Sequence, residues 1–163
     1  MARGSKQFKD NAEKRGNKPF TAMRHDVLDS EAWARTSMKG IKLIMDLVAQ
    51  YRGNNNGDLC LAWKIMKPRG WKSEGTLNSA KDEIIEKQWI ICTRQGSRNI
   101  ASLYALTFFA IDACDKYDPD IKTGVKPRDS WRVGNTAPDL VEEKRKERAR
   151  KIKNATTGIG VRM

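Results

Sequence analysis

Histidine occurs once in this chain of 163 residues, as His25, and cysteine three times, as Cys60, Cys92 and Cys114. The cysteines are far apart and form no CxxC pair, so neither a structural zinc site nor a disulfide framework is expected. Free thiols in a reducing cytoplasm are the simplest account. No stretch approaches the ~18 apolar residues of a membrane-spanning helix. Residues 1–18 contain no apolar run, so a secretory signal peptide is not expected either. There is no GxxxxGK[ST] phosphate loop and no GxSxG nucleophile elbow. The chain thus reads as non-enzymatic, with no cofactor and no metal. Apolar residues make up 39% and charged residues 32%. The middle of the chain is too apolar for general disorder, and the whole is too charged for a membrane protein.

What the chain has in excess is positive charge. Lys and Arg number 32 against 20 Asp and Glu, a formal net charge of +12. Residues 1–18 carry +4 and residues 142–163 carry +5, so three quarters of the excess lies in two tails. These tails have few large apolar residues and cannot bury enough surface to offset chain entropy, so both are expected to be flexible. The run Glu142–Lys153 (EEKRKERARKIK) is rich in helix formers and in Glu/Lys and Glu/Arg pairs three or four apart, so it can form a solvated helix. It has no apolar stripe, which argues against a coiled coil or a membrane-surface helix. Basic tails around a nearly neutral core suggest a polyanion partner, because each phosphate contact releases counterions.

Between the tails the pattern is α+β. Asp29 or Ser30 can cap a helical turn over Glu31–Arg35. Ser37 can cap the next helix, where Ile41, Leu43, Ile44, Leu47, Val48 and Tyr51 recur at helical spacing and Gly53 closes the element. Asn54-Asn55-Asn56-Gly57 is a run of turn formers before the short candidate strand Asp58–Leu61. Ala62–Met66 reads as a short helix, stopped around Pro68 and Gly70. Ser73 then caps a long helix, Glu74–Lys87, with Leu77, Ala80, Ile84 and Ile85 on one side. Trp89–Gln95 and Ala101–Phe109 are strand-like, joined by the polar turn Gly96–Asn99 with Arg94 and Arg98 near its tip. Ile111–Cys114 suggests a further helical turn. Residues 115–141 read as an extended loop, with Ile121 and Trp131 as anchors back on the core.

Helix, short strand, short helix, tight turn, long helix, strand, basic tip, strand is the order of a winged helix-turn-helix: three helices plus a β-hairpin wing. It divides the chain into an arm (1–18), the winged domain (19–114), the packed loop (115–141) and the basic tail (142–163). In that arrangement the Ser73–Lys87 helix is the recognition helix. Thr76 and Asn78 suit base edges, and Ser73, Ser79 and Lys81 suit phosphates. Arg69 and Lys72 sit in the preceding turn, and Arg94 and Arg98 flank the wing tip. The second half of the helix is acidic (Asp82, Glu83, Glu86), so only its first two turns suit DNA.

The stretch Phe20–Asp112 resembles a family of small winged-helix proteins encoded by phages, plasmids and integrative elements of proteobacteria. The matching segments are Phe20-Thr21-Ala22, Arg24–Ser30, Arg52–Leu59, Arg69–Ser73 with Thr76-Leu77, Thr93–Gly96 and Tyr104–Thr107. The resemblance implies a helix-turn-helix protein acting in replication or regulation of a mobile element; the helix-turn-helix order and the basic wing make duplex DNA the expected partner. A different class of reading is a winged-helix interaction module that binds or inhibits a host nucleic-acid-processing complex. RNA binding through the tails is a third. A homodimer reading two half-sites stays open.

Other residues draw weaker readings. His25-Asp26 suggests local hydrogen bonds where the chain enters the fold rather than catalysis. Asp112, Asp115, Asp118 and Asp120 lack the glycine and terminal glutamate of a calcium loop, so a solvated acidic loop is expected. Trp33, Trp63 and Trp89 are expected in the core and Trp71 exposed beside the recognition helix. The cysteines are expected to be buried small hydrophobes.

Overall fold

The structure, a computed structural model, describes residues 18–132 and, ahead of them, residues 11, 13, 14 and 16. Most of the expected N-terminal arm, the end of the loop (133–141) and the C-terminal tail lie outside the described residues.

The helices are set by their caps. The Ser30 side chain accepts from the Trp33 amide and opens α2 (Glu31–Ala34), which follows a short α1 (His25–Leu28) that the sequence pattern did not suggest. Ser37 accepts from Gly40 and opens α3 (Met38–Val48). This helix stops at Val48 rather than running to Gly53, which lies five residues further on in the turn. Then come β1 (Leu59–Cys60), α4 (Trp63–Met66), a 3-10 turn (Lys67–Arg69) and α5 (Glu74–Glu86), whose cap Ser73 accepts from Thr76. β2 (Ile90–Arg94) and β3 (Leu103–Leu106) are shorter than the apolar runs around them. Ile111–Cys114 forms no helix. The domain is therefore α+β, with five helices and a three-stranded antiparallel sheet among the described residues. None of these helices is long and apolar enough to cross a membrane.

The sheet order is β1-β3-β2, with Tyr104 lying between Leu59 and Cys92 and Ala105 opposite Ile91. All four β3 residues are buried, with no in-and-out alternation. A middle strand covered on both faces needs none, and Leu103–Leu106 is a continuous apolar run.

The core forms where α3 crosses α5 over this sheet. Leu43, Ile44 and Leu47 meet Leu77, Ala80 and Ile84, with Ile90, Leu106 and Phe108 beneath. The crossing is close: a Cβ on Gly40 would stand 2.8 Å from the Thr36 methyl and 3.0 Å from the Glu83 carboxylate. Trp89 is fully buried, while Trp33 and Trp63 are half-buried against the core. The three cysteines are half-buried rather than buried, and all are free.

Glu83 locks the two long helices together. Its carboxylate accepts from the amide and hydroxyl of Ser37 and pairs with Lys87 at 2.9 Å. Burial works to raise this carboxyl, but the two Ser37 bonds and the Lys87 ammonium outweigh it and hold it below the usual range. A depressed folded-state value stabilises the fold above the unfolded value and loses that stability as the pH falls through the folded one. Unfolding free energy is therefore expected to drop as the pH goes below about 4.3. Denaturant titrations of Glu83→Gln should show a flatter acid limb; an unchanged limb would contradict this role.

The segment after β3 straps the domain. The Asp112 carboxylate accepts from the Asn56 amide at 2.7 Å, Asp118 accepts from the Gln95 amide at 2.8 Å, and Asp58 pairs with Lys116 at 2.7 Å. Asp112 and Asp118 are thus braces, while Asp115 and Asp120 are exposed as a solvated loop would have them. Tyr117 lies against Gly57, whose φ is +124° and where a Cβ would come within 2.2 Å of the phenol oxygen. Burial pushes the Tyr117 phenol up to about 12. Ile121 is half-buried, and Trp131 is the firmer anchor, stacked on Trp89. Arg24 pairs with Asp26 and Asp129, and Arg132 with Asp26, so the strap's end is fastened beside the start of the domain.

Candidate nucleic-acid interface

The turn ahead of α5 is built on α3. Gly70 takes the left-handed conformation (φ +89°) that lets the chain leave the 3-10 turn. Trp71 then points inward, against expectation: it is 5% exposed. Its indole N–H donates to Asp46 at 2.8 Å, and the Lys42 ammonium lies 4.9 Å from its ring centroid. Asp46 also accepts from Lys42 at 2.7 Å and faces Arg69 at 3.6 Å. One carboxylate thus holds the turn, and Arg69 is half-buried and partly committed to it. Lys72, next in line, is exposed and has no partner among the described residues.

On α5 the predicted residues divide. Ser73 and Thr76 serve the cap, with their hydroxyls 3.0 Å apart and Thr76 half-buried. Asn78 and Ser79 are exposed. Lys81 is half-buried and donates to the Asn78 side-chain oxygen at 3.2 Å, so it turns along the helix rather than straight out. Glu74, Asp82 and Ile85 are exposed among them. The outward face is therefore mixed in charge, and its acidic character starts one residue after the cap.

The hairpin tip is the two-residue turn Arg98-Asn99, closed by paired backbone bonds between Ser97 and Ile100, with Asn99 at φ +73°. Arg98 is exposed without a partner among the described residues. Arg94 is not free in the same way. A bulge between Cys92 and Arg94 turns it across the hairpin, where its guanidinium donates to the Ala101 carbonyl at 2.9 Å. Its Nε is buried with no partner. Arg94 thus braces the hairpin and Arg98 projects from it. The bulge is pinned from below, where the buried Thr93 hydroxyl donates to the Gly57 carbonyl at 2.6 Å.

Helix and hairpin meet at one cleft of about 230 Å³. Glu74, Leu77, Asn78 and Lys81 form one wall, Ala101, Ser102 and Tyr104 the other, and Leu61–Trp63 the end. Burial raises the Tyr104 phenol, so it stays neutral in the physiological range. The sequence reading named Asn78 and Lys81 but missed Glu74 and Trp63 here. Glu74 was legible as the first helical position, while Trp63 gave no signal beyond its apolar character. Among the described residues no group of His, Cys, Asp and Glu could hold a metal ion. No family model, no curated protein and no solved structure matches the chain.

Proposed function

We propose that the α+β domain is a winged helix-turn-helix and that the protein binds duplex DNA, as a replication or transcription regulator of a mobile genetic element. The observation that carries this reading is the shared cleft. The exposed edge of α5 at Asn78 and the base of the hairpin at Ala101 and Ser102 face each other, so helix and wing address one ligand. Asn78 and Ser79 would read or position the groove. Lys72 before the helix and Arg98 at the tip are the unpaired cations best placed for phosphates. Arg69 and Lys81 would assist after leaving their present partners, and Arg94 supports the wing rather than touching DNA. The basic tails add affinity without sequence preference.

The test is the salt dependence of duplex binding by anisotropy. Lys72→Ala and Arg98→Ala are each expected to lower the slope of log affinity against log salt by about one. Arg94→Ala should destabilise the hairpin more than it changes the slope. Unchanged slopes in both Lys72 and Arg98 variants would sink the assignment.

A second reading, a protein-interaction module, draws support from Glu74, Asp82 and Ile85 on the exposed face of α5, where phosphates would be repelled. It predicts no duplex binding even at low salt.

A further inference from the structure

The cleft between α5 and the hairpin base carries more chemistry than phosphate contacts require. Trp63 is half-buried in its end wall, and its indole N–H has no hydrogen-bond partner among the described residues. Glu74 is exposed at its rim and makes no ion pair among the described residues. Lys81 and Asn78, 3.2 Å apart, offer an ammonium and an amide from the same wall.

A phosphate does not suit this set, because the Glu74 carboxylate at the rim repels it. An apolar side chain does not suit it either, since it would strip water from Glu74, Lys81 and Asn78 and return no hydrogen bond. A flat ring with a polar edge answers the carboxylate, the ammonium or amide, and the indole face together. Its face stacks on an aromatic wall, an amino group donates to the Glu74 carboxylate, and a ring nitrogen or carbonyl accepts from Lys81 or Asn78.

We propose that the cleft takes one unstacked nucleobase bearing an exocyclic amino group, delivered by DNA seated across α5 and the hairpin. This inference rests on the duplex-binding reading above and adds a preference to it. A base already unpaired spares the cost of extraction from the stack. DNA with one extrahelical base should therefore bind more tightly than the same duplex fully paired. One stacked and edge-bonded base corresponds to about tenfold in affinity.

The experiment uses the full chain and two duplexes of one sequence. One carries an extrahelical 2-aminopurine, and in the other that base is paired with thymine. The bulged duplex is expected to bind about tenfold more tightly, with its 2-aminopurine fluorescence quenched on binding. Trp63→Leu should bring the affinity ratio close to one and relieve the quenching. Glu74→Ala, at an exposed position that cannot upset the core, should lower the same ratio. Equal affinities with unquenched fluorescence would overturn this inference and leave duplex binding standing. Failure to bind either duplex would overturn both.

Discussion

Trp89→Ala is expected to lower the unfolding free energy by about 4 kcal/mol, the largest loss from any single truncation in this domain. Trp89 is fully buried immediately ahead of β2, and three aromatic rings converge on it. Trp33 meets it edge-on at 5.7 Å, Phe108 at 6.2 Å, and Trp131 stacks on it at 5.2 Å with the planes 7° apart. Its N–H donates to the Thr36 hydroxyl at 2.9 Å, tying the sheet to the turn before α3. Truncation would open a cavity between layers that the fixed α3–α5 crossing cannot close. It would also remove the surface on which Trp131 docks, and with it the end of the strap. Trp89→Phe keeps an aromatic ring but loses the fused pyrrole ring with its N–H, so about 1–2 kcal/mol is expected. Urea denaturation gives both numbers. Hydrogen exchange at the Asp129 amide, which donates to Thr107 at 2.8 Å, reports whether the strap loosens early. A loss below about 1 kcal/mol in the alanine variant would show that this aromatic cluster does not hold the core.

Asn56→Ala should cost about 3 kcal/mol, although no apolar contact of note is lost. Asn56 is fully buried. Its amide nitrogen donates to the carbonyls of Leu106, Ala110 and Phe109 at 2.9, 2.8 and 3.2 Å, and its oxygen accepts from the Leu106 amide at 2.8 Å. One side chain therefore ends the middle strand and turns the chain into the strap. Removing it leaves buried backbone groups unpaired, which is costlier than never having made the bonds. Asn56→Asp is the sharper variant. Shape is kept, but an oxygen replaces the donor in front of three carbonyls, so at neutral pH the loss should equal or exceed that of alanine. Denaturation of the two variants side by side checks this; a well-tolerated aspartate would refute the donor role.

Trp89 was legible as a core residue, and Asn56 was not legible as a buried one. Ser30, Ser37 and Ser73 were legible as caps, and each caps its helix. Capping is local chemistry, readable within four residues. Trp131 was legible as an anchor because an isolated large aromatic in a polar segment has few other uses. Asn56 looked like one turn former among several, and its partners lie fifty residues away. Trp71 looked exposed because it stands beside an exposed helix, yet an acceptor on α3, Asp46, draws it in. Arg94 and Arg98 are alike in sequence. Only the bulge after Cys92 separates the brace from the free cation. Of the predicted interface residues, Lys72, Asn78, Ser79 and Arg98 are exposed as expected. Ser73 is exposed but spends its hydroxyl on the cap with Thr76, Lys81 is engaged by Asn78 three residues back, and Arg69 and Arg94 are engaged by contacts that only the folded chain creates.

We propose that α5 and the hairpin form one DNA-facing surface. The most direct measurement is amide chemical-shift mapping of the full chain during titration with a short duplex, at low and moderate salt. The largest changes are expected at residues 72–82 and 96–102, persisting at moderate salt. Changes confined to other residues, or lost entirely at moderate salt, would contradict it and leave the tails as the only nucleic-acid contact.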